Sequence, residues 1–137
     1  MIKDILKHPD PRLYEKSVPV EDVENAKTIV QDLLDTCELH DGLGLAATQI
    51  GENVRVIVIK KNDGNMLALV NPKIVNRSGI SIKSVERCLS VPDKTVTVKR
   101  SYSVRVVADG VDVELKDRES CVVQHEVDHL EGVTIAS

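Results

Sequence analysis

The sequence predicts an α+β fold with mostly antiparallel strands. Three observations carry that expectation. A stretch of helical period lies near each end of the chain. Between them run short segments rich in β-branched residues, separated by turn signals. The 137 residues suffice for a single domain with a real core. No internal repeat or Gly/Ser/Pro linker divides the chain, so residues 1–137 read as one domain. Near the start, His8-Pro9-Asp10-Pro11 marks a turn, with Asp10 as cap and Pro11 opening a short helical turn that reaches Tyr14. The first long helix spans about 22–40. Val23, Ala26, Val30, Leu33 and Cys37 fall at helical spacing there, and Gly42 supplies the stop. Residues 54–59 read as a buried strand. Asp63-Gly64 turns the chain into a partner strand at 66–70, ended by Pro72. Further strands are expected at 73–76, 80–84, 95–98 and 104–108, and Asp109-Gly110 makes a hairpin into 111–115. The last helix starts with Asp117 as N-cap and stops at Gly132.

Composition narrows the function classes. The chain is 42% hydrophobic and 29% charged, which argues against disorder. Its net charge of −4, with no Lys/Arg block, gives no evident nucleic-acid or anionic-membrane site. No apolar run approaches the roughly 18 residues of a membrane span. The opening Met1-Ile2-Lys3-Asp4-Ile5 resembles neither a signal nor a transit peptide, so a soluble cytoplasmic protein is expected. With two Tyr and neither Phe nor Trp, the core must be aliphatic and no stacking platform exists for bases or sugars. Cys37, Cys88 and Cys121 are odd in number and far apart. Each is therefore a small buried hydrophobe or a ligand, not part of a disulfide scaffold.

Chemistry concentrates in three segments. The last helix carries His125-Glu126-Val127-Asp128-His129. Two histidines at i and i+4 sit about 40° apart and one turn along, so both imidazoles can converge on one metal ion. Glu126 follows the first ligand, where a general base toward water is needed. Asp128 is a candidate to accept the second N–H of a ligand imidazole. The alternative is an ordinary amphipathic helix with two histidines. Only eight residues follow His129, and none is a persuasive third ligand. An upstream thiolate is the obvious partner. Cys121 lies about 12 Å along the axis from His129, too far to share an ion. Cys37 falls on the apolar stripe of the first helix. Cys88, in Glu86-Arg87-Cys88-Leu89-Ser90-Val91-Pro92, sits between strands and before a proline turn, and is the best candidate. Two His and one Cys leave a tetrahedral ion one position for water, a catalytic arrangement. The third segment, 42–51, combines Gly42, Gly44, small residues and Gln49. Its glycines suit close backbone approach to an extended ligand, and the Gln49 amide suits an oxyanion. Helix capping and close packing are the plainer reading.

These segments, in this order, resemble the peptide deformylase family, whose motifs read GxGxAAxQ, EGCLS and HExxH. They stand here at 42–49, 86–90 and 125–129, the last extended through Leu130-Glu131-Gly132, and the opening HPDPRL at 8–13 is similar too. The resemblance implies antiparallel sheets packed around a C-terminal HExxH helix, with one long N-terminal helix. It implies one divalent ion on Cys88, His125 and His129, by similarity Fe(II), with Zn, Ni or Co able to occupy the site. Glu126 would move the proton, and Gln49 with the backbone N–H of Leu89 would stabilise the tetrahedral intermediate. The substrate would be a nascent peptide with an N-formylmethionine end, met at the ribosome, and the products formate and a free α-amine. The backbone edge near Leu43 and Gly44 would pair with the peptide, and Leu43, Cys121 and Val122 would line the methionine pocket. A monomer is expected. An HExxH endopeptidase and a non-catalytic metal-binding module, its cleft blocked by Arg87, are the other readings.

Two departures from the pattern matter. Arg87 replaces the glycine of EGCLS; a positive φ there would strain it by roughly 1–2 kcal/mol. Otherwise Arg87 contacts substrate at the cleft rim or points into solvent. Glu86 is expected to pair with Arg100, and an exposed pair would contribute little. The chain also ends soon after Gly132, where many bacterial members carry a helical tail, as expected of a minimal member from a phage or a reduced genome. In a phage-encoded case its location would be the host cytoplasm.

Overall fold

Strand β2 (Val56–Lys60) organises the molecule because both of its faces are buried. The computed structural model describes all 137 residues. Side chains alternate along a strand, so β2 serves two cores at once. Val56 and Val58 pack with Ile29, Leu33 and Cys37 of helix α1 (Val23–Leu39). Ile57 and Ile59 pack with Val123, Val127 and Leu130 of helix α2 (Asp117–Leu130). Each such aliphatic side chain contributes about 1.5–3 kcal/mol when fully buried. Strand β1 (Gly44–Ala46) pairs antiparallel with β2, Gly44 opposite Ile59 and Ala46 opposite Ile57, and β3 (Met66–Val70) flanks the other side. The order β1-β2-β3 leaves β1 at an edge. A second antiparallel sheet has the order β4-β7-β8, from β4 (Lys73–Arg77), β7 (Ser103–Ala108) and β8 (Val111–Lys116). Strands β5 (Ser81–Cys88) and β6 (Val91–Ser101) form a long hairpin of their own.

The α+β architecture is as expected, with local differences that have physical causes. Asp22 caps α1, its carboxylate accepting from the N–H of Glu24 (3.0 Å) and Asn25 (3.3 Å). Val23 stands exposed, and Ile29 takes its place on the buried stripe. Asp41, at φ +50°, breaks the chain away before Gly42 is reached. Asp117 does not cap α2. It is the first helical residue, at φ +53°, and Lys116 occupies the cap without a side-chain bond. Its carboxylate still lies at the positive end of the helix dipole. Strands β5 and β6 are longer than the expected 80–84 and 95–98, and Cys88 ends β5 instead of lying between strands. Pro92 lies inside β6, tolerated next to the register shift between Arg87 and Cys88. The three residues of β1 and the 3-10 turn Ala47–Ile50 after it are too short for periodicity to mark. No helix is long and apolar enough to cross a membrane.

Candidate active site

The edge strand β1, the end of β5 and one face of α2 converge. With Val123, Val127 and Leu130 committed to the core, the i, i+4 pair His125 and His129 looks toward β5. Alternation along β5 turns Glu86 and Cys88 the same way, both buried, while Arg87 points out. Cys88, His125 and His129 each offer one ligand atom, and these atoms lie within 4.8 Å of one another. The Cys88 Sγ is 3.4 Å from His129 Nε2, and the two imidazoles meet edge to face with centroids 5.1 Å apart. Cys37 lies elsewhere, its thiol donating to the Gly42 carbonyl at 3.3 Å, and buried Cys121 is outside the cluster.

A second layer of charge fixes the first imidazole. Glu86 Oε1 sits 2.9 Å from His125 Nδ1, which leaves Nε2 of that ring for the cluster. Arg100 grips Glu86 with two bonds, Nε to Oε2 at 2.9 Å and an Nη to Oε1 at 2.7 Å, and reaches Asp128 at 2.6 Å. Glu86, not Asp128, therefore orients the ligand, and Asp128 anchors the arginine. The expected Glu86–Arg100 pair is formed, and it is buried. Burial alone would raise the Glu86 pKa, but the hydrogen bonds from Arg100 and His125 bring it down to about 2. Burial likewise opposes a charged His125, yet its contacts with Cys88 and Glu86 lift it to about 10. Burial, then the neighbouring His125, lowers His129 to about 3. A positive charge is thus favoured on the His125 ring and disfavoured on the His129 ring. Two buried polar atoms beside it, His129 Nδ1 and Glu126 Oε1, have no hydrogen-bond partner. One sulfur and two ring nitrogens within reach of one point, with unsatisfied polar atoms beside them, fit a divalent ion with accompanying water.

Glu126 and Gln49 face this centre from opposite constraints. Glu126 is buried, which raises its carboxyl to about 7. It lies so close to β1 that a Cβ on Gly44 would stand 2.8 Å from Glu126 Oε2 and 3.0 Å from the Val58 carbonyl. The Gln49 amide is held at both ends. Its Oε1 accepts from the Ala46 N–H at 2.9 Å, and its Nε2 donates to Ser90 Oγ at 3.0 Å while lying 3.7 Å from Cys88 Sγ. The N–H donor at Ala46 assigns which end is oxygen. The Leu89 N–H makes no hydrogen bond.

Several supporting residues escape a motif reading. Ser90 is fully buried and fixes Gln49; the motif that contains it was the available signal. Residues 6–8 tie the Gln49 and Leu89–Ser90 segments together. The N–H of Leu6 donates to the Gln49 carbonyl (2.7 Å), that of His8 to the Ser90 carbonyl (2.8 Å), and Lys7 Nζ to the Leu89 carbonyl (2.9 Å). No sequence pattern marks that strap. Of the expected pocket residues, Leu43 is exposed where β1 begins, Cys121 is buried on α2, and Val122 packs partly buried against the core. Arg87 does not adopt a positive φ, so the anticipated strain is absent, and its outward placement does not fill the cleft.

Comparison with known proteins bears on this arrangement. A family model described as polypeptide deformylase matches residues 2–137. The peptide deformylase of Dictyoglomus thermophilum is 40% identical over 141 residues, covering 98% of this chain and 91% of that protein. Peptide deformylase 2 of Vibrio cholerae is 42% identical over 139 residues, covering 96% and 82%. Among solved structures, the peptide deformylase from Thermotoga maritima superimposes with a TM-score of 0.91 at 34% identity, covering 99% of this chain and 96% of that one.

Proposed function

The chain belongs to the polypeptide deformylase family, and from that premise we propose how its own residues remove the formyl group from the N-terminal methionine of a nascent polypeptide. The observation that carries the assignment of roles is the convergence of Cys88, His125 and His129 beside a buried, partner-free Glu126 oxygen and an amide donor. Cys88, His125 and His129 would hold one divalent ion, Fe(II) in the native protein with Zn, Ni or Co as substitutes. When bound, that ion would act as a Lewis acid, polarising the formyl oxygen and bringing the ionisation of water toward neutral pH.

The remaining steps fall to the protein. A peptide lies along the free edge of β1 near Leu43 and Gly44 as an added strand, and its methionine side chain enters an apolar space lined by Leu43, Cys121 and Val122. Glu126, poised near neutrality by burial, takes a proton from the attacking water as a C–O bond forms at the formyl carbon. Gln49 Nε2 and the Leu89 N–H stabilise the negative charge gathering on the formyl oxygen. The C–N bond then breaks, and Glu126 returns the proton to the leaving amine. Formate and a free α-amine result. We propose further that the protein works in the cytoplasm, as a monomer at the ribosome.

The test is formate release from a formyl-Met peptide by protein loaded anaerobically with Fe(II), or with Ni(II). Glu126→Ala is expected to keep the ion and lose about 10²–10⁴ in kcat. Absence of formate from every metal form would refute the proposal.

A further inference from the structure

We propose that Lys7 is a positioning residue: its ammonium pins the turn at Leu89 and Ser90, so that the Leu89 N–H and the Gln49 amide face one formyl oxygen. The inference rests on the oxyanion roles proposed above. The turn needs an outside anchor because its own hairpin does not supply one. Pairing between β5 and β6 is regular as far as Arg87 and Thr95, then shifts so that Cys88 meets Val91. Leu89 and Ser90 are left outside the ladder. Much of the centre hangs on this stretch. Cys88 offers the thiol, Ser90 Oγ accepts from Gln49 Nε2 at 3.0 Å, and the Leu89 N–H is unbonded. A swing of the turn would therefore move both donors relative to the thiol.

The anchor comes from the start of the chain. Ile5 packs against the core of α1 and β2, and the Lys3 N–H donates to Thr36 Oγ1 at 2.9 Å, so the strap begins on fixed ground. The N–H groups of Leu6 and His8 donate to the Gln49 carbonyl at 2.7 Å and the Ser90 carbonyl at 2.8 Å. Between them, Lys7 Nζ donates to the carbonyl of Leu89, 82 residues away, at 2.9 Å. Three consecutive residues thus fasten the Gln49 segment to the turn. An exposed lysine normally keeps its ammonium in water, because fixing the side chain costs rotamer freedom. Asp10, three residues on, is taken by Arg12 through bonds of 3.2 and 2.8 Å, which leaves the Lys7 ammonium to the carbonyl. A charged donor holds an acceptor more strongly than a neutral one, as a tether facing solvent requires. Leu89 completes the arrangement. Its side chain packs toward Gly42 and the α1 core, its carbonyl meets Lys7, and its N–H remains for a ligand.

The experiment compares wild type, K7M and K7R as metal-loaded protein. Methionine approximates the length and removes the donor, whereas arginine keeps a charged one. A turn displaced by about half an ångström is expected to lower kcat about 10-fold in K7M, with KM and bound metal unchanged. K7R is expected to recover kcat to within about threefold of wild type. In the 1H–15N spectrum of Zn(II)-loaded protein, the Leu89 amide signal is expected to move in K7M and return toward its wild-type position in K7R. K3M, at a lysine whose ammonium faces Asp32 on α1, is expected to match wild type in every readout. A kcat loss that K7R does not recover, a loss confined to KM or to bound metal, or an unmoved Leu89 signal in K7M would each overturn the proposal. Equal formate release by wild type and K7M would refute the role of Lys7 and leave the proposed function standing. No formate from wild type in any metal form would refute that function, and this role with it.

Discussion

Gly44→Ala tests whether the backbone of β1 sets the position of Glu126, the carboxylate proposed to transfer the proton. The added methyl would stand 2.8 Å from Glu126 Oε2 and 3.0 Å from both Glu126 Cγ and the Val58 carbonyl. Ordinary contact begins near 3.4 Å, so about 0.6 Å must be found. The Val58 side offers little, because Gly44 and its neighbours are bonded into the β1–β2 ladder and β2 is buried on both faces. Glu126 is the freer partner, with one oxygen unbonded. Overpacking of this kind costs about 1–3 kcal/mol, and a reacting group displaced by about 1 Å loses on the order of 10²-fold in rate. A shift of half that size is expected to lower kcat about 10-fold while the bound metal stays stoichiometric. Formate release, metal analysis and thermal unfolding on one preparation separate the effects. A variant with wild-type kcat would show that the glycine does not constrain Glu126, and loss of the metal would show that the whole centre had moved.

Metal analysis of three single variants checks the ligand set: Cys88→Ala is expected to lose the ion and activity, whereas Cys37→Ala and Cys121→Ala keep the ion. Arg100→Met leaves the buried Glu86 carboxylate without its bidentate partner, which is expected to destabilise the fold by about 3–5 kcal/mol in denaturant unfolding. Glu86→Gln weakens the orientation of His125 and is expected to reduce metal affinity about 10- to 100-fold in a chelator competition. The Cys37 thiol is raised by burial, with Glu126 adding to it, from an ordinary value of 9.0 to about 11. Between those values the unfolded chain has released that proton and the folded chain has not. Stability present below pH 9 is therefore lost as pH rises toward 11, by about 2–3 kcal/mol, and Cys37→Ala is expected to lack that share of the loss in alkaline unfolding curves.

What the sequence made legible follows from how many residues carry each signal. Helix α1 declares itself over 17 residues with a cap, and β2 through an unbroken run of β-branched side chains. His125, Glu126 and His129 announce their convergence because helical spacing is a fixed geometry. Cys88 could be chosen only by elimination among the cysteines and by the family motif around it, since nothing local sets the distance from β5 to α2. Asp117 looked like a cap because its type favours caps, but the Asp117 N–H is drawn to the Tyr102 carbonyl at 2.7 Å and the helix starts one residue early. Asp128 looked like the partner of a ligand imidazole because it is near in sequence. Glu86, 39 residues away from His125, wins because β5 delivers it already paired with Arg100.

The hairpin shows why alternation hides function from a linear reading. Along β5 the residues at even positions, Glu86 and Cys88, enter the centre, while Lys83, Val85 and Arg87 meet solvent. A scan for charge runs averages the two faces and finds an unremarkable mixture, because the buried Glu86 offsets a cation it never faces. Separation by face resolves the mixture: the buried carboxylate is fully engaged by Arg100 and His125, and the outward cations Lys83 and Arg87 make no contact with it. One β-strand therefore carries an inner face whose carboxylate holds the His125 ring and an outer face that meets solvent. The thickness of one sheet keeps the two faces apart, so a change on the outside is expected to leave the inner pairings intact.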